Sequence, residues 1–222
     1  MSDQPQKGGY IKQAWLVLLL ALCYGAALAG VQTALGPIIE ENKKREINSQ
    51  VPILVGVDPE TTDVEKVEVT GKDDKTKAVY VAKTKDGELL GWVIRASGQG
   101  FADRIEILLG LSADLKTITG LYVLDQKETP GLGDKIRSDS ERDEEGNIVA
   151  MSYRDMYIGK STGEPITIVK RTPEEGTNQI EAITAATVSS DKVADIVNSA
   201  IDNLGDALDA KRTELSAPQA NN

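Results

Sequence analysis

Hydroxyl side chains are concentrated in Thr184–Ser190, where four of seven residues are Thr or Ser. After this stretch, apolar residues recur at intervals of three and four, which predicts a helix with one buried face. They are Val193, Ile196, Val197, Ala200, Ile201, Leu204 and Leu208. Ser189 or Ser190, followed by Asp191, is typical of a helix N-cap. A helix start offers unpaired N–H groups and favours a phosphate, although an ordinary capped helix explains the same residues.

A second stretch, Glu128-Thr129-Pro130-Gly131-Leu132-Gly133, follows a predicted strand and combines a proline with two glycines. Proline fixes φ and glycine permits unusual turns, so we expect a loop of defined shape. On local chemistry alone, a purely structural turn is favoured. Another glycine-containing turn is predicted at Ser97–Gly100 and has the first two glycines of the Gly-x-Gly-x-x-Gly dinucleotide-binding motif. It is not that motif, because Asp103 occupies the position of the third glycine.

Composition excludes several kinds of site. The chain of 222 residues has no histidine and a single cysteine, Cys23, so it lacks the residues for a His/Cys metal site, a Ser-His-Asp triad or an internal disulfide. The 183 residues from Glu40 onward hold 23 Lys/Arg and 34 Asp/Glu, a net charge of −11 that repels nucleic acid. Any redox chemistry here requires a bound organic cofactor.

The N-terminal region predicts a membrane anchor. Residues 13–39 carry no charge over 27 positions, which exceeds the ~20 residues needed to cross a bilayer as a helix. Ala27-Leu28-Ala29 resembles a signal-peptidase site, but we interpret the segment as an uncleaved signal anchor. Two Lys/Arg precede it and three follow closely, so the positive-inside rule does not decide its orientation.

The rest of the chain predicts an α+β domain with an antiparallel sheet. Residues 38–50 continue the anchor as a polar helix. Short β-branched runs separated by turn signals predict strands, at residues 64–69, 78–84, 89–96, 104–109, 117–124 and 166–170. Residues 138–147 are highly charged and are expected to form an exposed loop, residues 171–183 form a polar connection, and a disordered tail is expected from residue 216.

Both motifs resemble those of one known family. Glu181–Thr187 is similar to the flavinylation motif Asp-x-x-Ser/Thr-Gly-Ala-Thr, with Glu181 in place of Asp and Ala185 in place of Gly. The segment Glu128–Gly133 matches the family's Glu-Thr-Pro-Gly-Leu-Gly without a substitution, and the motifs stand in family order about 55 residues apart. The chain thereby resembles the FMN-binding subunits of membrane electron-transport complexes, the G subunit of Rnf and, more distantly, the C subunit of Nqr.

The resemblance implies a covalent FMN whose phosphate is esterified to Thr187. Thr184 and Ser189 would hydrogen-bond this phosphate, with Ala186 between them in the motif. Thr129 and Leu132 would lie against the isoalloxazine, Glu128 would brace its loop, and Gly98 belongs to the turn before the family's central hairpin. Because Gly admits positive φ, the alanine at position 185 raises the question of whether attachment still occurs.

The function implied is that of an electron-transfer subunit of an ion-translocating ferredoxin:NAD oxidoreductase, not catalytic on its own. Its expected organisation is a cytoplasmic N-terminus (1–12), a transmembrane anchor (13–39), an extracytoplasmic FMN-binding domain (40–215) and the tail. The implied partners are RnfA, RnfB, RnfC, RnfD and RnfE, with an FMN transferase for maturation. The alternatives are the Nqr equivalent, a cofactor-free assembly subunit and a stand-alone membrane-tethered flavin reductase.

Overall fold

The computed structural model describes residues 9–143, 145 and 147–216, and it divides into two compact units, Met1–Glu46 and Ile47–Asn222. Most of the expected cytoplasmic N-terminus and the tail from residue 217 lie outside the described residues. So do positions 144 and 146 of the expected exposed loop.

The described part of the first unit is the larger, apolar part of a long helix, whose residues from Ile47 onward belong to the second unit. Helix α1 (Gly9–Val55) has 47 residues, and its apolar side chains between Trp15 and Ile39 are exposed. Among the described residues it is the one helix long and apolar enough to cross a membrane, with a mean hydropathy of 2.2 in its most apolar window. A helix that exposes apolar side chains over this length is stable in hydrocarbon and unfavourable in water.

The second unit is built on a five-stranded antiparallel sheet whose strands pair in sequence order. The strands are β1 (Thr62–Thr70), β2 (Thr76–Thr84), β3 (Leu89–Gln99), β4 (Arg104–Ser112) and β5 (Ile118–Asp125). The predicted α+β class with an antiparallel sheet is confirmed, and the β2–β3 turn has its glycine, Gly87, at φ +86° as that hairpin requires.

Both faces of this sheet are covered. Helix α2 (Thr187–Ser216) packs on one face through the predicted apolar stripe, of which Val193, Val197 and Leu204 are fully buried. The other face is covered by the last turns of α1, through Ile47, Val51 and Leu54. The sheet therefore forms the middle layer of the domain.

Short elements complete the fold and lead to the hydroxyl-rich stretch. A small hairpin joins β6 (Glu141–Arg142) and β7 (Ile148–Ala150), and two 3₁₀ helices span Gly133–Arg137 and Asp155–Tyr157. The strands β8 (Thr167–Val169) and β9 (Gln179–Glu181) pair in parallel, and β9 enters the turn before α2.

Several local predictions were wrong. Helix α2 begins at Thr187, so Ser189 and Ser190 lie inside its first turn and do not cap it. Helix α1 extends to Val55, because its last turns carry apolar residues that the sheet buries. The polar connection leads into β9, and the charged loop contains β6, which pairs with β7 directly after the loop, since strands of two or three residues have no recognisable period.

Candidate functional site

A tight turn formed by Ile183, Thr184, Ala185 and Ala186 presents the start of α2. The N–H of Ala186 donates to the carbonyl of Ile183 at 2.9 Å and closes the turn. Ala185, the third residue, has φ +65°, in the left-handed region that favours glycine and costs other residues about 1–2 kcal/mol. The turn thus has the conformation that the family's glycine would permit, although an alanine occupies the position. Thr184 and Ala185 are exposed, whereas Ala186 is buried.

The Ser190 hydroxyl joins both ends of this 183–186 turn. It accepts a hydrogen bond from the N–H of Ile183 at 3.0 Å and donates one to the carbonyl of Ala186 at 3.1 Å. Ser190 is completely buried. A buried hydroxyl is stable only when it is hydrogen-bonded, and both partners here belong to the turn.

Ser189 joins the helix start to the second motif. Its hydroxyl donates to Oε2 of Glu128 at 2.5 Å, and both residues are buried. The other carboxylate oxygen of Glu128 accepts from the N–H of Ala102 at 3.0 Å, in the connection between β3 and β4. One carboxylate therefore holds three segments together, and charge-assisted hydrogen bonds of this kind are stronger than neutral ones.

The Glu128–Gly133 loop packs its two ends and exposes its middle. The carbonyl of Thr129 accepts from the N–H of Leu132 at 3.1 Å, and Gly131 has φ +76°. A Cβ on Gly133 would lie 2.6 Å from Oγ of Ser189, so only glycine permits this approach to the helix start. Thr129 and Leu132 are exposed, with the Leu132 side chain 41% accessible.

A buried tyrosine pair contacts the first turn of α2 from a third segment. The Tyr153 hydroxyl donates to the carbonyl of Ser190 at 2.7 Å, so the Tyr157 hydroxyl, 2.8 Å away, must donate to Tyr153. The two rings are edge-to-face with centroids 5.5 Å apart. Burial raises the pKa of Tyr153 and of Tyr157 well above the usual range, so both stay protonated at neutral pH.

The helix start fits a phosphate group. Within the described part of the chain, the backbone N–H groups of Thr187, Val188 and Ser189 have no protein acceptor. Three free donors and the positive end of a 30-residue helix favour an anion at this point. Thr187, half-buried, is the first residue of the helix.

The structure brings together seven of the eight residues predicted for the site. Thr184, Ala186, Thr187 and Ser189 lie in or directly after the turn, and Glu128 links them to the loop that carries Thr129 and Leu132. Gly98 lies elsewhere, in strand β3, so the prediction that Ser97–Gly100 is a turn was wrong for its first three residues. A Cβ on Gly98 would lie 2.6 Å from Cγ1 of Ile196, which is about 13 Å beyond Thr187 along α2.

Gly98 also borders a different space. It lines a cavity of about 540 Å³ between the sheet and α2, whose walls do not include Thr187. The residue at position 98 has to be small because β3 packs closely against α2 at this point. Sequence reasoning missed Tyr153, Ser190 and Ala102 as parts of the site. No local signal identifies Tyr153, which is 37 residues from its partner, whereas the 0% exposure of Ser190 is a consequence of tertiary packing.

A family model fits this part of the chain. Residues 100–202 match the model described as "FMN-binding domain". This range contains the Glu128–Gly133 loop, the 183–186 turn and Thr187, and its free amide donors suit the phosphate of FMN. Over this range, the chain is similar to FMN-binding domains.

Relatives of known name define the type of protein more closely. The chain is 34% identical over 131 residues to the G subunit of the Na⁺-translocating ferredoxin:NAD⁺ oxidoreductase complex of Acetobacterium woodii, covering 59% of this chain and 56% of that relative. It is 27% identical to the G subunit of the ion-translocating oxidoreductase complex of Methanosarcina acetivorans, covering 84% of this chain and 92% of that relative. The resemblance to the G subunits of Rnf complexes is confirmed.

Solved structures share the fold. NqrC of Shewanella oneidensis superposes with a TM-score of 0.60 at 16% identity, covering 80% of this chain and all of that chain. The C subunit of the Na⁺-translocating NADH-quinone reductase of Parabacteroides distasonis gives a TM-score of 0.56 at 17% identity, covering 83% and 98%. At such identities the comparison defines the fold alone.

Proposed function

We propose that this chain is the electron-transfer subunit of a membrane-bound ion-translocating ferredoxin:NAD oxidoreductase complex, with FMN joined to Thr187 by a phosphoester bond. The observation that carries the proposal is the Ser189–Glu128 hydrogen bond, which places the two motifs on either side of the helix start. FMN, when bound, supplies one-electron chemistry that no side chain of this protein can provide.

The residues around Thr187 have distinct roles in this proposal. The free N–H groups of the first turn of α2 hold the phosphodiester anion, and the exposed Thr184 hydroxyl donates to the same group. The Ser189 hydroxyl donates its hydrogen bond to Glu128, so in this proposal it positions the loop and does not bind the phosphate. Thr129 and Leu132, both exposed on that loop, offer the isoalloxazine one polar and one apolar contact.

A covalent link suits a relay. A covalently attached flavin stays with the protein in every redox state, whatever its noncovalent affinity in that state. Helix α1 anchors the domain in the membrane, and we infer that residues 40–215 lie on the extracytoplasmic side. The partner subunits RnfA, RnfB, RnfC, RnfD and RnfE supply the neighbouring redox centres and the ion pathway. An FMN transferase on the same side attaches the cofactor.

The equivalent component of an Nqr complex is the second candidate. The C subunit of the Na⁺-translocating NADH-quinone reductase of Yersinia pestis is 27% identical over 126 residues, covering 54% of this chain and 43% of that relative. That is a shorter and weaker match than those to the G subunits. A cofactor-free assembly protein has less support, because the turn keeps φ +65° at Ala185 in spite of its cost.

The proposal is tested by comparing the wild type with Thr187→Ala and, as a matched control, Thr184→Ala. Each protein is produced in cells that contain an FMN transferase and the remaining subunits. We expect flavin fluorescence to persist after denaturing electrophoresis in the wild type and Thr184→Ala but not in Thr187→Ala. Ferredoxin-dependent NAD reduction by the membranes should be lost only in Thr187→Ala. Fluorescence retained in Thr187→Ala would contradict the assignment.

A further inference from the structure

The 183–186 turn has one internal hydrogen bond and requires further contacts to keep its conformation. It is short, two of its four residues are exposed, and Ala185 is in the left-handed region. Such a backbone persists only where surrounding contacts impose it. The groups that impose it determine how the Thr187 hydroxyl is presented.

Ser190 provides that restraint from within the helix. Its hydroxyl hydrogen-bonds the N–H of Ile183 and the carbonyl of Ala186, which are the first and last residues of the turn. The N–H of Ser190 also donates to the Ala186 carbonyl at 3.0 Å. One residue therefore fixes both ends of the turn relative to the axis of α2.

Tyr153 holds Ser190 from outside the helix. Its hydroxyl reaches the Ser190 carbonyl at 2.7 Å, and its side chain is 4% exposed. Tyr157 donates a hydrogen bond to the Tyr153 hydroxyl, but the hydrogen bond that Tyr153 itself donates to Ser190 does not require it. The hydrogen-bonded series thus runs from Tyr157 through Tyr153 and Ser190 to the turn.

We propose that Ser190 and Tyr153 are positioning residues for FMN attachment, which keep the 183–186 turn in the conformation that presents the Thr187 hydroxyl. This inference rests on the proposed function. In the attachment step the Thr187 oxygen forms a new bond to phosphorus, and the phosphoanhydride bond of an activated flavin dinucleotide breaks. The flavin mononucleotide half stays on Thr187, the adenosine monophosphate half leaves with the electron pair of the broken bond, and the hydroxyl proton passes to a base of the transferase.

The first test measures the rate of attachment. Full-length apo protein in detergent is mixed with transferase and flavin dinucleotide, and the covalent product is followed by intact mass. We expect Ser190→Ala to slow attachment about tenfold, because a displaced nucleophile reacts poorly even when nothing else changes. Tyr153→Phe should also be slower, whereas its matched control Tyr157→Phe, which keeps the contact between Tyr153 and Ser190, should react like the wild type.

A rescue separates positioning from general destabilisation. Ala185→Gly removes the conformational cost that Ser190 has to offset, so Ala185→Gly/Ser190→Ala should recover most of the lost rate. Because every variant is folded at the assay temperature, the small gain in stability from Ala185→Gly does not by itself restore the rate. Assays are run well below each melting temperature.

A second readout does not depend on the flavin. Hydrogen–deuterium exchange of the apo protein should show faster exchange at Ile183 and Ala186 in Ser190→Ala and Tyr153→Phe, but not in Tyr157→Phe. Unchanged exchange and unchanged rates in folded Ser190→Ala and Tyr153→Phe would overturn the inference. A wild type that accepts no flavin would instead overturn the proposed function, and the exchange result would still decide whether these residues hold the turn.

Discussion

At the residue scale, the decisive feature is an alanine in a conformation suited to glycine. Ala185 has φ +65° in the turn that precedes Thr187. The cost, about 1–2 kcal/mol, is offset by the hydrogen bonds that Ile183 and Ala186 make to Ser190 and to each other. The alanine in place of the family's glycine at position 185 therefore changes the stability of the turn more than its shape.

Ala185→Gly should stabilise the protein slightly. Removing the left-handed strain stabilises the folded state by about 1–2 kcal/mol. The extra conformational freedom of glycine stabilises the unfolded chain by about 0.5–1 kcal/mol and offsets part of that effect. We expect a net gain below about 1.5 kcal/mol in the free energy of unfolding, measured by urea denaturation. The matched control Ala186→Gly, at a buried neighbour outside the left-handed region, should be destabilising. A loss of stability in Ala185→Gly would contradict the account of this turn.

Glu128→Ala should destabilise the domain by about 1–3 kcal/mol, because it leaves the buried Ser189 hydroxyl without its acceptor. It also frees the N–H of Ala102, so the β3–β4 connection should become more mobile. Glu128→Gln keeps the shape and one acceptor oxygen and should cost less. Glu68→Ala, at an exposed position of β1, serves as the control and should be nearly neutral. Equal effects of Glu128→Ala and Glu68→Ala, compared by thermal denaturation, would be incompatible with a bracing role.

At the element scale, the site depends on how closely α2 packs on β3. Gly98 gives that closeness, because a methyl group there would lie 2.6 Å from Cγ1 of Ile196. This packing fixes the axis of α2, and through it the position of Thr187 about 13 Å away. Gly98 thus influences the site through the helix and not through contact with it.

A double-mutant cycle tests this contact. Gly98→Ala should cost about 1–3 kcal/mol through overpacking, and Ile196→Ala about 2–5 kcal/mol through the cavity it leaves. In the double variant the new methyl group occupies part of that cavity, so the combined cost should fall below the sum by at least about 0.5 kcal/mol. Gly163→Ala, where the nearest atom is 3.5 Å from the added Cβ, is the control. Additive effects would show that the two residues do not compete for space.

The elements themselves were predictable to different degrees. The strands of the main sheet and the stripe of α2 follow from periodicity, because each is long enough to repeat its pattern. The start of α2 was misplaced, since Ser189 and Ser190 have the composition of caps but make their hydrogen bonds to Glu128 and to the turn. The strand β9 has only three residues, too few to repeat a pattern, so no local signal marks it.

At the scale of the whole molecule, the described part of the chain combines a long apolar helix with an acidic α+β domain that is similar to FMN-binding domains over residues 100–202. The motifs predict Thr187, Glu128 and the loop between Thr129 and Leu132 as site residues from sequence, because those residues are local and ordered along the chain. The restraint by Tyr153 and the link to Ala102 depend on contacts between segments 26 to 37 residues apart. Such contacts are determined by the packing of the whole domain, which a single sequence does not display.

The most direct test of the central claim is peptide mass spectrometry of the full-length protein, purified from cells with an FMN transferase and then denatured. We predict that the peptide containing Thr184–Ser190 carries the mass of FMN less one water, and that fragmentation places the addition on Thr187. The same peptide from Thr187→Ala should be unmodified. An unmodified wild-type peptide, or an addition located on Thr184, would contradict the account.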